Sequence, residues 1–339
     1  MKASPSLLVC RTDHLGDVLL TLPALKLARQ SLPHSRIGFM CQENAYQAIR
    51  PFLGSETIEY ISKENLVPGW DISINLFDDV SMGRLLKSAK IPYRVANYTK
   101  LLSRWYYNDG YPQHRSQAQS HESEYNSQMI EFALRKVEIT PLSTIPPIEI
   151  PVDTEEKILA IDALSEIGVK ADIPITIVHP GMRGSALNLS ADSYFKIFQE
   201  LMKKENSQLL LSVGPESKDL ELEETLKQNF PALKILKALP IGVFREVLRL
   251  AALVIAPSTG PLHLAHFVGT TTYGIYSPVL SHHAKRWRPQ GGTGRAQTHA
   301  PNVQCPATRH CLLEKCREFN CMEKTNWTAI LADRFSERA

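Results

Sequence analysis

The stretch from Leu253 to Ala265 constrains the fold of this chain more than any other part of it. The apolar run Leu253–Ala256 predicts a buried strand, and the residues from Pro261 onward have the apolar spacing of a helix. Proline suits the first helical position because its missing N–H would have no intrahelical partner there. The intervening turn, residues 257–260, therefore presents free backbone N–H groups at the positive end of a helix dipole, a common seat for phosphate. An ordinary capped turn fits the same residues.

A similar pattern stands near the start of the chain. Leu7–Cys10 predicts a short buried strand, Val18–Ser31 a helix and Arg36–Met40 a second strand. Strand, helix and strand in this order imply a parallel sheet, in which ligands bind beyond the carboxyl ends of the strands. The loop at that end carries four residues that can contact a ligand: Asp13, His14, Gly16 and Asp17.

The segment from Tyr93 to Glu124 is polar, basic and rich in aromatic residues, which predicts a loop-like region. It includes Arg115 and His121. Two interpretations remain open for this segment: a solvated surface, or a contact for an acidic and sugar-like partner.

Prolines recur between Thr140 and Thr154 and predict an extended linker. A second cycle of strands begins after it with Ile173–Val178, followed by a loop at residues 179–185. The pattern predicts an α/β protein of two halves with an active cleft between them. The expected domains are residues 1–153, residues 154–324 and a terminal helix at residues 325–339.

Composition narrows the function classes. A chain of 339 residues is long for one core, and a net charge of +3 is too small to indicate nucleic-acid binding. The chain has neither the pattern of a signal peptide nor an apolar run long enough for a bilayer, so we expect a cytoplasmic protein with reduced cysteines. The nucleotide-binding pattern G-x-G-x-x-G, the P-loop and the G-x-S-x-G elbow are all missing from the sequence.

Four of the six cysteines cluster near the end of the chain, at Cys305, Cys311, Cys316 and Cys321. Structural zinc sites usually contain close C-x2-C pairs, and this cluster has none. Metal binding, loop packing and occasional oxidation remain open for this cluster.

Several motifs together resemble glycosyltransferase family 9, the lipopolysaccharide heptosyltransferases. The opening motif is the stretch from Arg11 to Leu25, and the second signature is the stretch from Ser258 to Ala265. Further matches, in the right order along essentially the whole chain, are His179-Pro180-Gly181, Ser185-Ala186-Leu187-Asn188, Val213-Gly214-Pro215-Glu216, Tyr276-Ser277-Pro278, His121 to Asn126, and the cysteine tail.

The resemblance implies a GT-B fold of two Rossmann-like parallel-sheet domains that face a central cleft. The N-terminal domain would bind the acceptor and the C-terminal domain the nucleotide-sugar donor, with the terminal helix packing back on the first domain. The implied reaction is an inverting, metal-independent transfer of heptose from ADP-heptose to the lipopolysaccharide inner core. The resemblance implies that the reaction needs no cofactor and no metal, and that the protein does not bind nucleic acid. It also implies peripheral contact of the protein with the cytoplasmic face of the inner membrane.

By the family match, Asp17 is the general base that takes the proton of the acceptor hydroxyl. The alternative is that Asp17 caps the helix that follows it. Asp13 is a nearby competitor, and two carboxylates so close together can raise each other's pKa. The expected acceptor-binding residues are Asp13, His14, Gly16, Arg115 and His121.

The expected donor-binding residues are Gly181, Met182, Arg183, Ser185, Glu216, Ser258, Thr259, Gly260 and His263. Glu216 would bind the nucleoside, and the backbone N–H groups of Thr259 and Gly260 would stabilise the charge of the leaving ADP. His263 would add a donor, with a packed core histidine as its alternative.

The chain departs from the family pattern at two places. Ser258 stands where many members have Asp, and the residues around Leu187–Ser190 stand where many have a basic residue followed by Trp-Pro. Arg183 is then the basic residue left for the diphosphate. These departures leave open another nucleotide sugar or glycan acceptor, and also a nucleotide-sugar-binding protein with little transfer activity.

Overall fold

The structure is a computed structural model that describes residues 4–77, 79–99, 104–142, 144–182, 184, 186–203, 207–214 and 217–330. The chain divides into two compact units. The first is formed by described residues within Met1–Arg115, Gln119–Val152 and Gln290–Thr293, and the second by those within Ser116–Ala118, Asp153–Pro289 and Gly294–Ala339.

The first unit is built on a six-stranded parallel sheet with the strand order β3-β2-β1-β4-β5-β6. Its strands are β1 (Leu7–Cys10), β2 (Ile37–Met40), β3 (Glu59–Ile61), β4 (Ile72–Asn75), β5 (Tyr93–Ala96) and β6 (Asp109–Gly110). Strands β1, β2 and β4 are buried along their whole length, as expected for a parallel sheet covered on both faces.

Helices connect these strands. They are α1 (Leu15–Leu19), α2 (Leu22–Ser31), α3 (Glu43–Ser55), α4 (Val80–Ser88) and α5 (Glu122–Lys136). Helices α2 and α5 pack against each other. A core cluster beneath α4 includes Trp70, Met82 and Tyr107.

The second unit repeats this architecture with a sheet of order β12-β11-β10-β7-β8-β9. Its strands are β7 (Ile175–Val178), β8 (Gln208–Val213), β9 (Lys234–Lys237), β10 (Leu253–Pro257), β11 (Thr271–Ile275) and β12 (Ala296–His299). Its helices are α6 (Thr154–Glu166), α7 (Ala191–Leu201), α8 (Ser217–Asn229), α9 (Ile241–Leu250), α10 (Gly260–Phe267), α11 (Ala284–Trp287) and α12 (Cys321–Lys324).

Both sheets have the strand order of a Rossmann fold, and this order places the ligand ends. In each sheet the order reverses beside the first strand of that unit, between β1 and β4 and between β7 and β10. Ligands of such sheets bind outside the carboxyl ends at this reversal. The loop after β1 and the turn after β10, the two signatures of the sequence, both lie at such a position. In the part of the chain that is described, no helix has the length and apolarity needed to cross a bilayer.

Two expectations for the elements are wrong, and one strand was not predicted. The helix predicted over Val18–Ser31 is two helices, because Pro23 in the first turn of α2 cannot donate a backbone hydrogen bond to a preceding turn. The region predicted as loop-like after Tyr93 contains β5 and β6. Strand β12 was not predicted, because Ala296–His299 is a polar edge strand without an apolar pattern.

The terminal helix predicted at residues 325–339 lies partly outside the described residues. Residues 327–330 are helical, and Trp327 packs into the core cluster of the second unit. Its expected return to the first domain stays a prediction.

Candidate functional site

The loop after β1 begins with Arg11. The backbone N–H of Arg11 donates to the carbonyl of Met40 at 2.9 Å and so continues the pairing of β1 with β2. Helix α1 then begins at Leu15 with His14 as its N-terminal cap, which makes Asp17 the third residue of the helix. The alternative that Asp17 is the cap is therefore wrong, and its carboxylate is directed to a different partner.

That partner is the guanidinium of Arg11, which is buried, at 2% exposed, among three carboxylates. It donates from Nε to Asp13 Oδ1 at 2.7 Å, and from its terminal nitrogens to Glu122 Oε1 at 3.1 Å and to Asp17 Oδ1. One buried cation faces three anions, so negative charge is in excess. Arg115 offsets part of it through its own ion pair with Glu122.

This arrangement sets the acidity of Asp17. Burial raises the pKa of Asp17 to about 7, the Arg11 guanidinium opposes that rise, and the negative charges of Asp13 and Glu122 add to it. A carboxyl group with a pKa near neutrality accepts a proton far more readily at pH 7 than an ordinary carboxylate. The physical property expected of a general base is thus present at Asp17.

Helix α5 supplies the rest of the network. Glu122 is its first residue and is fully buried, and Asn126 lies one turn further on the same face. The Asn126 side chain accepts from Arg11 at 3.1 Å and from Arg115 at 3.2 Å, and donates to the carbonyl of Leu20 at 3.2 Å. The packed pair of α2 and α5 therefore fixes the position of both guanidinium groups.

The predicted acceptor residues lie in different surroundings. Asp13 and Arg115 belong to the Asp17 network, His14 is exposed at the start of α1, and Gly16 is half-buried in its first turn. His121 is 2% exposed and caps α5: its Nδ1 accepts from the backbone of Ser123 at 3.2 Å. A structural role thus accounts for His121, and acceptor binding by these five residues stays a prediction.

In the second unit, the turn after β10 has the geometry of an anion-binding site. Helix α10 begins at Gly260, one residue earlier than predicted, and Thr259 is its N-terminal cap. The Thr259 hydroxyl does not cap the helix but donates to the carbonyl of Pro257 at 3.1 Å. Because Thr259 does not cap them, the first N–H groups of α10 can receive an anion.

Two further groups adjoin this turn. The phenol of Tyr276, at the end of β11, is buried, and burial raises its pKa, while a hydrogen bond with Ser258 and the charge of Arg288 oppose that rise. The phenol donates to the carbonyl of Trp287 at 2.6 Å. Ser258 is therefore tied to Tyr276, and Arg288 is a cation close to the turn.

Two histidines lie close to the carboxyl ends of β7 and β10. His263, in α10, is 2% exposed, as a packed histidine would be. His179 follows β7, where its N–H donates to the carbonyl of Ile255 at 2.9 Å and its Nδ1 lies 3.1 Å from the Ser212 hydroxyl. Burial lowers the pKa of His179 to about 4, so this ring is neutral at pH 7.

The loop after β7 is held by Asn188, which donates to the carbonyl of Pro180 at 2.8 Å and accepts from the hydroxyl of Tyr194 at 2.8 Å. Gly181 is buried and Met182 is half-buried in this loop. Arg183, Ser185 and Glu216 lie outside the described residues, so their predicted roles stay predictions. Leu189 is buried, and Ser190 caps α7 and bonds to Glu323.

The four clustered cysteines line one cavity of the second unit, together with apolar side chains such as Leu312 and Phe319. All six cysteines are free thiols. Within the described residues, no three His, Cys, Asp or Glu side chains are grouped as a metal would require. Loop packing, metal binding and oxidation all stay open for this cluster.

Sequence reasoning missed Arg11 and Glu122 as members of the site, although both were quoted within family motifs. Arg11 follows an apolar strand directly, and a charged residue at that position is a signal for a site. Asn126 ends the same motif as Glu122, but its place in the network depends on the packing of α5. Arg288 carried no comparable signal, because its position depends on the turn after β11.

Comparisons with known proteins agree with this architecture. Residues 76–314 match the model of glycosyltransferase family 9 (heptosyltransferase). A Haemophilus influenzae protein with a provisional description as a glycosyltransferase is 28% identical over 300 residues, covering 84% of this chain and 85% of the relative.

Solved structures show the same fold. Escherichia coli ADP-heptose LPS heptosyltransferase II superposes with a TM-score of 0.72 at 14% identity, covering 98% of this chain and 100% of that one. Escherichia coli heptosyltransferase WaaC with ADP gives a TM-score of 0.68 at 17% identity and the same coverage. The predicted fold class, a GT-B fold of two Rossmann-like parallel-sheet domains, is confirmed by these similarities and by the two sheets.

Proposed function

The chain belongs to glycosyltransferase family 9, and from this premise we propose that it transfers a heptose from ADP-heptose to the inner core of lipopolysaccharide. Glycosyl transfer itself follows from the family. The observation that carries the proposed mechanism is the carboxylate of Asp17, held by Arg11 at the strand-order reversal with a pKa of about 7.

Asp17 acts as the general base of an inverting, metal-independent transfer. Its carboxylate takes the proton of an acceptor hydroxyl while the hydroxyl oxygen forms a bond to the anomeric carbon of the donor. The bond between that carbon and the diphosphate oxygen breaks on the opposite face, and ADP leaves with the electron pair. The Arg11 guanidinium orients the base, since it bonds to one carboxylate oxygen only and leaves the other for the acceptor.

The diphosphate of the donor binds at the turn after β10. Backbone N–H groups of α10 and the helix dipole stabilise the charge that develops on the leaving ADP. Arg288 supplies the positive charge that the chain lacks at Leu187–Ser190, because it lies close to the Tyr276 and Ser258 pair beside the turn. Gly181 and Met182 line the phosphates, and Arg183, Ser185, Glu216 and His263 complete the donor site by the family match.

The structure of WaaC with ADP, which shares this fold, supports the choice of an ADP-linked donor. The acceptor would be lipid A that carries a partial core, bound through Asp13, His14, Gly16 and Arg115. An amphiphilic acceptor of this kind implies that the protein works at the cytoplasmic face of the inner membrane. No cofactor and no nucleic acid take part.

One specific observation supports a second candidate function. Ser258 is hydrogen-bonded to Tyr276, whereas an aspartate at this position would add a negative charge beside the sugar. The same mechanism could therefore serve another nucleotide sugar or glycan acceptor. A nucleotide-sugar-binding protein with little transfer activity is the remaining candidate, because the basic residue of the family's phosphate loop is absent at Leu187–Ser190.

A donor and acceptor panel tests these candidates. The purified protein is incubated with ADP-, UDP- and GDP-sugars and a truncated lipopolysaccharide, while thermal stability is recorded with each nucleotide. We expect stabilisation by ADP above UDP and GDP, and transfer from ADP-heptose. Transfer from another donor would support the second candidate, and tight binding without any transfer would overturn the enzymatic proposal.

A further inference from the structure

One surface of the first unit combines exposed cations with an exposed tryptophan ring. We call it the basic–aromatic patch and define it by Arg84 and Lys87 of α4 and by the adjoining residues Arg104, Trp105 and Tyr106. The three cationic side chains are exposed. Trp105 is 74% exposed, the highest value among the large apolar side chains that are described.

The two segments of the patch are fixed to each other. The Lys87 ammonium donates to the backbone carbonyl of Trp105 at 3.1 Å and lies 5.7 Å from the centre of the Tyr106 ring. The Arg84 guanidinium lies 5.9 Å from the same ring. Gly83 lets the segments approach this closely, since a Cβ at that position would meet the Tyr106 Cβ at 2.8 Å. The exposed indole is therefore presented by an ordered backbone.

No carboxylate of the described residues neutralises the charge of the patch. Among the residues that the structure describes, none of Arg84, Lys87 and Arg104 forms an ion pair with a carboxylate. Exposed lysines elsewhere do: Lys203 pairs with Glu200 at 2.7 Å and Lys227 with Glu223 at 4.0 Å. Within the described part of the chain, the patch is thus a cluster of cations without carboxylate partners around the most exposed aromatic side chain.

We propose that the basic–aromatic patch docks the protein on the surface of an anionic phospholipid bilayer. Tryptophan is stable at the boundary between headgroups and hydrocarbon because its ring is apolar and its N–H is polar. Clustered Lys and Arg side chains are attracted to anionic headgroups. A bilayer surface presents anionic headgroups beside an apolar boundary, so it can contact both features at once.

The inference deepens the proposed function, because it rests on the membrane location given there and assigns that location to particular residues. Its test does not depend on the transferase reaction. If the protein does not bind vesicles but still transfers sugar to a detergent-solubilised acceptor, the docking inference fails and the proposed function stands. Failure of the inference and failure of the proposed function are therefore distinguishable.

Vesicle sedimentation tests the charge of the patch. The full chain is mixed with phosphatidylcholine vesicles or with vesicles that also contain phosphatidylglycerol, and the bound fraction is measured at rising salt. We expect binding only to the anionic vesicles, weakening as salt screens the charges. Neutralising Arg84 and Lys87 together as R84Q/K87Q should lower the partition coefficient by about fivefold per charge. The control K203Q/K227Q removes the same charge elsewhere and should bind like the native protein.

Tryptophan fluorescence tests the insertion of the indole. Trp70 and Trp327 are 2% and 3% exposed, and Trp287 is half-buried with its indole N–H donating to the carbonyl of Ser281 at 2.7 Å, so a blue shift on vesicle binding should come chiefly from Trp105. We expect the shift to disappear in W105F, while the thermal stability of this variant stays native. Three outcomes would overturn the inference: equal binding to neutral vesicles, equal loss of binding in the control variant, or binding to a soluble polyanion such as heparin without binding to anionic vesicles.

Discussion

At the scale of single residues, the burial of Asp17 has a consequence for stability. The pKa of Asp17 is about 7 in the folded protein, compared with 3.8 for an ordinary aspartate. A carboxyl group with a raised pKa stabilises the folded state fully at pH values below its pKa in the unfolded chain, and this stabilisation is lost as pH rises through its pKa in the folded protein, here about 7. D17N carries no such charge. We therefore expect its free energy of unfolding, relative to the native protein, to rise by at least about 1 kcal/mol between pH 5 and pH 8.

Denaturant unfolding at several pH values measures this difference. D162N, which changes an exposed aspartate of α6, is the control and should follow the native protein at every pH. A constant difference between D17N and the native protein would contradict the raised pKa.

Glu122 controls the acidity of Asp17 without touching it. Its negative charge raises the pKa of Asp17, so E122Q should move the acid limb of kcat/KM against pH to lower values. A purely structural role would lower the rate at every pH and leave the limb in place. E131Q, on the same helix, is the matched control, and the pH profile of transfer is the measurement.

Arg288 is the cation that we assign to the diphosphate. R288A should raise the KM for the nucleotide sugar roughly tenfold or more, since hydrogen bonds to charged groups contribute about 1.5–3 kcal/mol. R286A is a nearby control, because the Arg286 guanidinium stacks on Trp287 at 4.4 Å. An unchanged donor KM in R288A would remove Arg288 from the donor site.

At the scale of the element, the position of helix α5 depends on its cap. His121 accepts from the backbone of Ser123, and Glu124 bonds back to the N–H of His121 at 3.1 Å. H121A should therefore destabilise the first unit by about 1 kcal/mol, with H114A, at an exposed histidine, as the control. Denaturant unfolding measures this loss, and a native value would show that the cap is dispensable.

The elements also show what a sequence can and cannot predict. The central strands were predictable because continuous apolar runs such as Leu7–Cys10 mark buried parallel strands. Strand β12 was not, because the polar run Ala296–His299 becomes a strand only by pairing with β11. The break between α1 and α2 could have been predicted from Pro23.

At the scale of the whole molecule, repetition of one strand order explains why two short motifs define the candidate site. The sequence placed Asp17 and Ser258–Gly260 at the ends of strands, and the order of strands puts each at the reversal of its sheet. The ion pairs of Arg11 with Glu122 and of Arg115 with Glu122 could not be predicted, because they join residues 111 apart and 7 apart through the packing of α5.

The most direct test of the account is a side-by-side measurement of donor binding and sugar transfer in native protein and D17N. Asp17 is assigned to the acceptor hydroxyl, and the donor is assigned to residues of the second unit. The account therefore predicts native affinity of D17N for the nucleotide sugar, with transfer reduced by about 10²–10⁴-fold. Transfer at the native rate in D17N, or loss of transfer that merely follows loss of donor binding, would contradict it.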